Sequence, residues 1–113
     1  MSDTRLALRV DDHEGISVLH LDGELDLATE HIFLRACDQL LARGHAKIVV
    51  DVSRLGFCDC TGLGAFIAVQ QQAELWGGYL RLVGVRRQLA KLLRLAQLVD
   101  TFPPYTDLQH ACG

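Results

Sequence analysis

The sequence predicts one α/β domain with a mixed sheet of four to five strands. An antiparallel N-terminal hairpin opens the sheet, parallel strands follow, and helices pack on it. Three observations predict this. Apolar residues alternate over residues 6–10 and again over 16–21, the period of half-buried strands. Apolar steps of three and four recur from Ala28 onward, the period of an amphipathic helix. Beyond Lys47, short apolar runs alternate with helical stretches, which implies right-handed crossovers and parallel neighbours.

The elements follow in order. Leu6, Leu8 and Val10 alternate with polar partners, residues 11–15 make a turn, and Ile16, Val18 and His20 begin a second strand through Leu21. The two should pair as a hairpin. Residues 22–26 read as a loop entering a helix. Over 28–42 the residues Ile32, Phe33, Ala36, Cys37, Leu40 and Leu41 form one face, with Cys37 a core thiol and Gly44 the stop. Residues 47–52 are β-branched enough for a strand buried on both faces. Ser53 to Phe57 lead into a turn, and a helix follows over about 61–76, ended by Gly77-Gly78. Ala65, Phe66, Val69, Ala73 and Trp76 share its packed face. Leu63 and Ile67 lie on a neighbouring face, either partly exposed beside the turn or buried under a loop. Residues 79–83 form a further strand, and a third helix over about 86–96 buries Leu89, Leu92, Leu93 and Ala96. Phe102 marks a short last strand stopped by Pro103-Pro104, and 105–111 a terminal helix.

Composition narrows the function. The 113 residues make a single domain, 1–113 with a core over about 5–110. A chain this long buries roughly two-thirds of its unfolded surface. Half the residues are apolar, which argues against disorder. No apolar run nears the ~20 residues of a membrane span, and Met1 to Arg5 lack a signal peptide's apolar stretch, so a cytoplasmic protein is expected. The net charge is −3, and the basic residues Arg81, Arg86, Arg87, Lys91 and Arg94 lack interleaved aromatics, which disfavours nucleic acid. The cysteines 37, 58, 60 and 112 should be thiols. Cys58-x-Cys60 lacks the spacing of zinc and redox motifs, and the histidines form no ligand pattern. Neither metal nor cofactor is expected.

The segment Cys58-Asp59-Cys60-Thr61-Gly62-Leu63-Gly64 places an acid, a thiol, a hydroxyl and two glycines at a strand-to-helix turn. Helix N-termini present free N–H groups that suit anions, including a phosphate on a hydroxyl. Asp59 or Thr61 could cap the helix. Gly62 and Gly64 cost up to about 1 kcal/mol each in a helix; they admit either a bulky partner or a tightly packed strand. A phosphatase-type loop would need an arginine six residues after Cys60, where Phe66 stands. No nucleophilic set and no phosphate-binding GxxxxGK[ST] loop occurs, so an enzyme is not expected.

Two motifs resemble those of STAS domains, the family named for sulphate transporters and anti-sigma factor antagonists. Gly23-Glu24-Leu25-Asp26 is similar to the family's first, a Gly-x-Leu-Asp loop. Phe57 to Gly64 is similar to its second, an apolar pair followed by Asp-Ser-Ser/Thr-Gly-Leu-Gly. The resemblance covers about residues 5–110 and is nearest to the small single-domain bacterial antagonists. It implies a protein that binds an anti-sigma factor, usually a serine kinase, and so frees a sigma factor. It also implies that the kinase phosphorylates the serine after the motif aspartate, and that a serine phosphatase reverses this. The implied partner-binding residues are Asp26, Asp59, Cys60, Thr61, Gly62, Leu63 and Ile67, on a monomer or weak dimer. Here Cys60 holds the usual serine position. Either Thr61 takes the phosphate, or binding is constitutive, or the thiol senses oxidants. A thiol at a helix start supports a redox-sensing alternative built on Cys60, with Cys58 on the same side if the strand reaches that far. A third possibility is a component of a larger signalling or lipid-transport assembly.

Overall fold

The computed structural model describes residues 5–103 and 105–112. Pro104, expected to help end the last strand, lies outside them, as do residues 1–4. Among the described residues, four strands stand in sequence order across one sheet. Strands β1 (Leu6–His13) and β2 (Ile16–Leu25) form the antiparallel hairpin, reversed through Glu14 and Gly15. Strand β3 (Lys47–Cys58) runs parallel to β2, and β4 (Tyr79–Val83) parallel to β3. The helices are α1 (Glu30–Ala42), α2 (Cys60–Leu75), α3 (Arg87–Leu95) and α4 (Leu108–Cys112).

The strand alternation explains the layers. Leu19, Leu21 and Leu25 of β2, Ile48, Val50 and Val52 of β3, and Leu80 and Leu82 of β4 face one side. There they meet Phe33, Cys37 and Leu40 of α1, Phe66 and Val69 of α2, and Leu89 and Leu93 of α3. Phe66 sits at the centre, its ring perpendicular to Phe33 at 5.2 Å and tilted against Phe102 at 6.4 Å. Each such buried ring contributes roughly 1.5–3 kcal/mol. Burial pushes the Cys37 thiol up to about 12, helped by the charge of Asp38; it is the core thiol its helix face suggests. On the opposite side Val18, Val49 and Val83 are covered by Ala111, Tyr105 and Leu108. Arg81 lies over the Tyr79 ring at 3.8 Å and donates to the Ala111 carbonyl at 2.9 Å. Beyond this cover the face is polar: the two His20 ring nitrogens lie 3.0 Å from Asp11 and 2.9 Å from Asp51.

Several elements differ from expectation. Strand β2 runs through the segment read as a loop, and β3 runs six residues past Val52 to Cys58. Phe102 is not a strand but a core plug, 1% exposed. The fifth strand reduces to one parallel bridge between Val83 and Tyr105. Trp76 is 73% exposed, because α2 ends before it and the chain turns there. Ala96 likewise falls at the C-terminal cap of α3 and is exposed.

Candidate functional site

Parallel pairing builds the site. Leu25 and Cys58 are partners at the ends of the parallel strands β2 and β3, so both strands release their chains at the same end of the sheet. The Asp59 N–H donates to the Leu25 carbonyl at 3.3 Å. The loop 23–26 and the turn 57–64, distant in sequence, therefore form one corner.

Asp59 is the helix cap. Its backbone is extended, and its Oδ1 accepts from the Gly62 N–H at 3.0 Å. Its own carbonyl accepts from the Leu63 N–H at 2.9 Å. The cap satisfies a donor the helix cannot. Gly62 is present because nothing else fits: a Cβ there would stand 2.8 Å from both the Cys58 sulfur and the Leu25 carbonyl oxygen. Tight packing on a strand is thus the reason for this glycine. Gly64 differs, since a Cβ there would meet nothing within 4 Å.

Asp26 organises the other loop. Its Oδ1 accepts from the N–H groups of Ala28 and Thr29 at 3.0 and 3.2 Å, which caps the approach to α1. Its own N–H donates to the Thr29 hydroxyl at 3.0 Å, and that hydroxyl donates to the Glu24 carbonyl at 2.8 Å. Arg5 lies 3.7 Å from the other Asp26 oxygen, a long pair whose arginine is open to solvent and which is therefore worth little. Gly23 has φ +124, and a Cβ would fall 1.9 Å from the Arg5 carbonyl oxygen. The glycine and aspartate of the first motif thus answer to local geometry.

The corner divides its residues. Cys60 is exposed, while Asp26, Asp59, Thr61 and Ile67 are half-buried. Leu63 is 4% exposed and packs into the core, so its side chain is not on the surface of the corner. Gly62 is buried as well. Cys58 is fully buried, its thiol pushed up to about 12 by burial and by the neighbouring Asp59 and Cys60. Strand β3 ends at Cys58 and α2 begins at Cys60. Cys58 is nonetheless buried and Cys60 exposed, so the two thiols do not present together on one side of the turn. Thr61 carries the single hydroxyl between Phe57 and Gly64.

Four residues were not signalled as part of the site. Leu27 and Phe57 are 73% and 41% exposed in the two loops; an apolar residue directly after the first motif and one opening the second were the available signals. Thr29, fully buried, could have been found from its place three residues after Asp26, ahead of a helix. Gln88, bonded to the Cys58 main chain, has no local sequence signal. No group of three or more His, Cys, Asp or Glu among the described residues is placed to hold a metal ion, and no described helix is long and apolar enough to cross a membrane. The corner offers a capped, rigid turn with small and apolar exposed groups, an arrangement for contact.

A mixed sheet with this corner is the plan of a small α/β binding domain. The chain belongs to the STAS domain family, whose model matches residues 7–111. It is 27% identical over 103 residues to the anti-sigma F factor antagonist of Paenibacillus polymyxa, covering 90% of this chain and 88% of the relative. It superposes on an anti-sigma factor antagonist from Mycobacterium paratuberculosis with a TM-score of 0.85 and 27% identity, over 98% and 95% of the two chains. At 20% identity the fold alone also matches the Bacillus cell fate determinant SpoIIAA in its phosphorylated form, with a TM-score of 0.71 over 89% and 93% of the chains.

Proposed function

We propose that this protein is an anti-sigma factor antagonist: it binds an anti-sigma factor of the serine-kinase type through the corner and so releases a sigma factor. The observation that carries this reading is the convergence of the two motif loops through the Leu25–Cys58 register and the Asp59–Leu25 hydrogen bond. The antagonist names of its relatives support it. The contact surface is formed by Cys60, the half-buried Thr61, Asp59, Asp26 and Ile67, and the exposed Leu27 and Phe57. Gly62 and Leu63 act from beneath, by packing. With a thiol in the usual acceptor position, Thr61 is the phosphoacceptor candidate. A phosphate there would add a charge near −2 in the middle of the contact and weaken it by like-charge repulsion and desolvation.

Calorimetric titration against kinase-type anti-sigma factors tests the reading. Wild type should bind one of them. Leu27→Asp and Asp59→Lys should each weaken it more than tenfold, while Asp59→Asn, which keeps a capping oxygen, separates the cap from the charge. Undiminished binding by both of the first two variants would remove the corner from the interface. Incubation with the kinase and ATP, followed by intact-mass measurement, asks for a phosphoryl gain that disappears in Thr61→Ala.

A further inference from the structure

Strand β3 outruns its neighbour. Pairing with β4 ends at Asp51 and Val83, yet β3 continues through Val52 to Cys58. On the β2 side pairing continues, through two register shifts, to the last residues Leu25 and Cys58. On the other side no strand among the described residues accompanies the tip of β3, and main-chain groups there need other partners. At Cys58 the partner is one side chain. The Cys58 N–H donates to Gln88 Oε1 at 2.9 Å, and Gln88 Nε2 donates to the Cys58 carbonyl at 2.7 Å. A primary amide carries one acceptor and a donor group side by side, which is what a strand neighbour would present to a residue's outward N–H and C=O.

The opening of α3 gives this contact more weight. Arg86 caps the helix without a side-chain hydrogen bond, and Arg87 follows it. Two cations at a helix N-terminus oppose the helix dipole. The helix start is therefore held by its buried residues Leu89 and Leu93 and by the amide clamp. The clamped residue directly precedes Asp59, whose N–H is tied to Leu25 on the opposite side and whose carboxylate caps α2.

We propose that Gln88 is a positioning residue for the docking corner. It fixes the main chain at Cys58, and through it the Asp59 cap and the presentation of Cys60 and Thr61 to the partner. The partner's identity rests on the antagonist reading; the positioning does not.

The experiment uses the full chain with Gln88→Leu and Gln88→Glu, amide hydrogen exchange by NMR, and the anti-sigma factor that wild type binds. In Gln88→Leu, Cys58 protection should fall about tenfold, as expected for two hydrogen bonds of modest net strength, while the Val50 amide in the centre of β3 keeps its protection and shows the fold intact. Affinity for the anti-sigma factor should fall in the same variant. In Gln88→Glu at neutral pH, the carboxylate has no proton for the Cys58 carbonyl, and protection should fall likewise. Below about pH 4 the introduced carboxyl gains a proton, regains one donor and one acceptor, and should restore protection relative to wild type at the same pH. A side chain that merely fills space would give no such acid recovery. Unchanged Cys58 protection in Gln88→Leu, absence of acid recovery in Gln88→Glu, or full partner affinity despite lost protection would each overturn the proposal. If wild type binds no anti-sigma factor, the antagonist reading falls, and the exchange measurements still decide the clamp.

Discussion

The two ends of α2 both expose side chains, but they do so on different foundations. At the N-terminal end Cys60 reaches solvent from a turn in which Asp59 is capped, Gly62 is wedged against Leu25, and Cys58 is bonded on its outer side. At the C-terminal end Leu75 and Trp76 are 84% and 73% exposed beside a glycine cap, in which Gly77 has φ +79 and the Gly78 N–H donates to the Ala73 carbonyl at 2.8 Å. Trp76 there lines a cavity of about 360 Å³ with Gly15, His45 and Lys47. Exposure of an apolar group alone does not separate the two ends. What separates them is that the first end gathers two loops distant in sequence, through the Leu25–Cys58 register and the Asp59–Leu25 hydrogen bond, whereas the second is fixed by its own glycine turn.

Substitutions can break or sharpen this contrast. The largest effect belongs to Gly62→Ala. The added methyl meets a sulfur and a backbone oxygen at 2.8 Å, and overpacking of that kind costs about 2 kcal/mol. Urea unfolding should show that loss, and thermal unfolding a fall of roughly 10 °C; a neutral result would mean the wedge is soft. Gly64→Ala, two residues along, should act in the opposite direction. With open space around it, it should gain up to about 1 kcal/mol from helix propensity, read in the same unfolding assay. Trp76→Ser should change stability least, within about 0.5 kcal/mol. A larger loss would show that the C-terminal end is packed after all.

Much of this architecture is legible in the sequence. The hairpin, α1, β4 and α3 follow their periodicities, and the motif turn falls where the glycines and Asp59 suggest. The ends of β2 and β3 are not legible, for a physical reason. Register shifts between His20 and Asp22 and between Gly23 and Glu24 interrupt the alternation. The tip of β3 is also paired on one side only, so Ser53, Arg54 and Gly56 take on the composition of a loop. Helix α2 misleads differently. It is apolar on most sides, so its sequence does not say which face turns inward; Leu63 goes in and Trp76 stays out. The Gln88 contact joins residues 30 apart, and no local pattern announces a pairing made by tertiary placement.

The short α4 has a consequence for handling this molecule. Together with Tyr105 it is the lid over Val18, Val49 and Val83, the apolar strip on the back of the sheet. Deleting the chain from Tyr105 onward would leave the front layer intact and turn the back into an adhesive surface. Such a shortened protein would be expected to clump during purification even if every residue of the corner were in place.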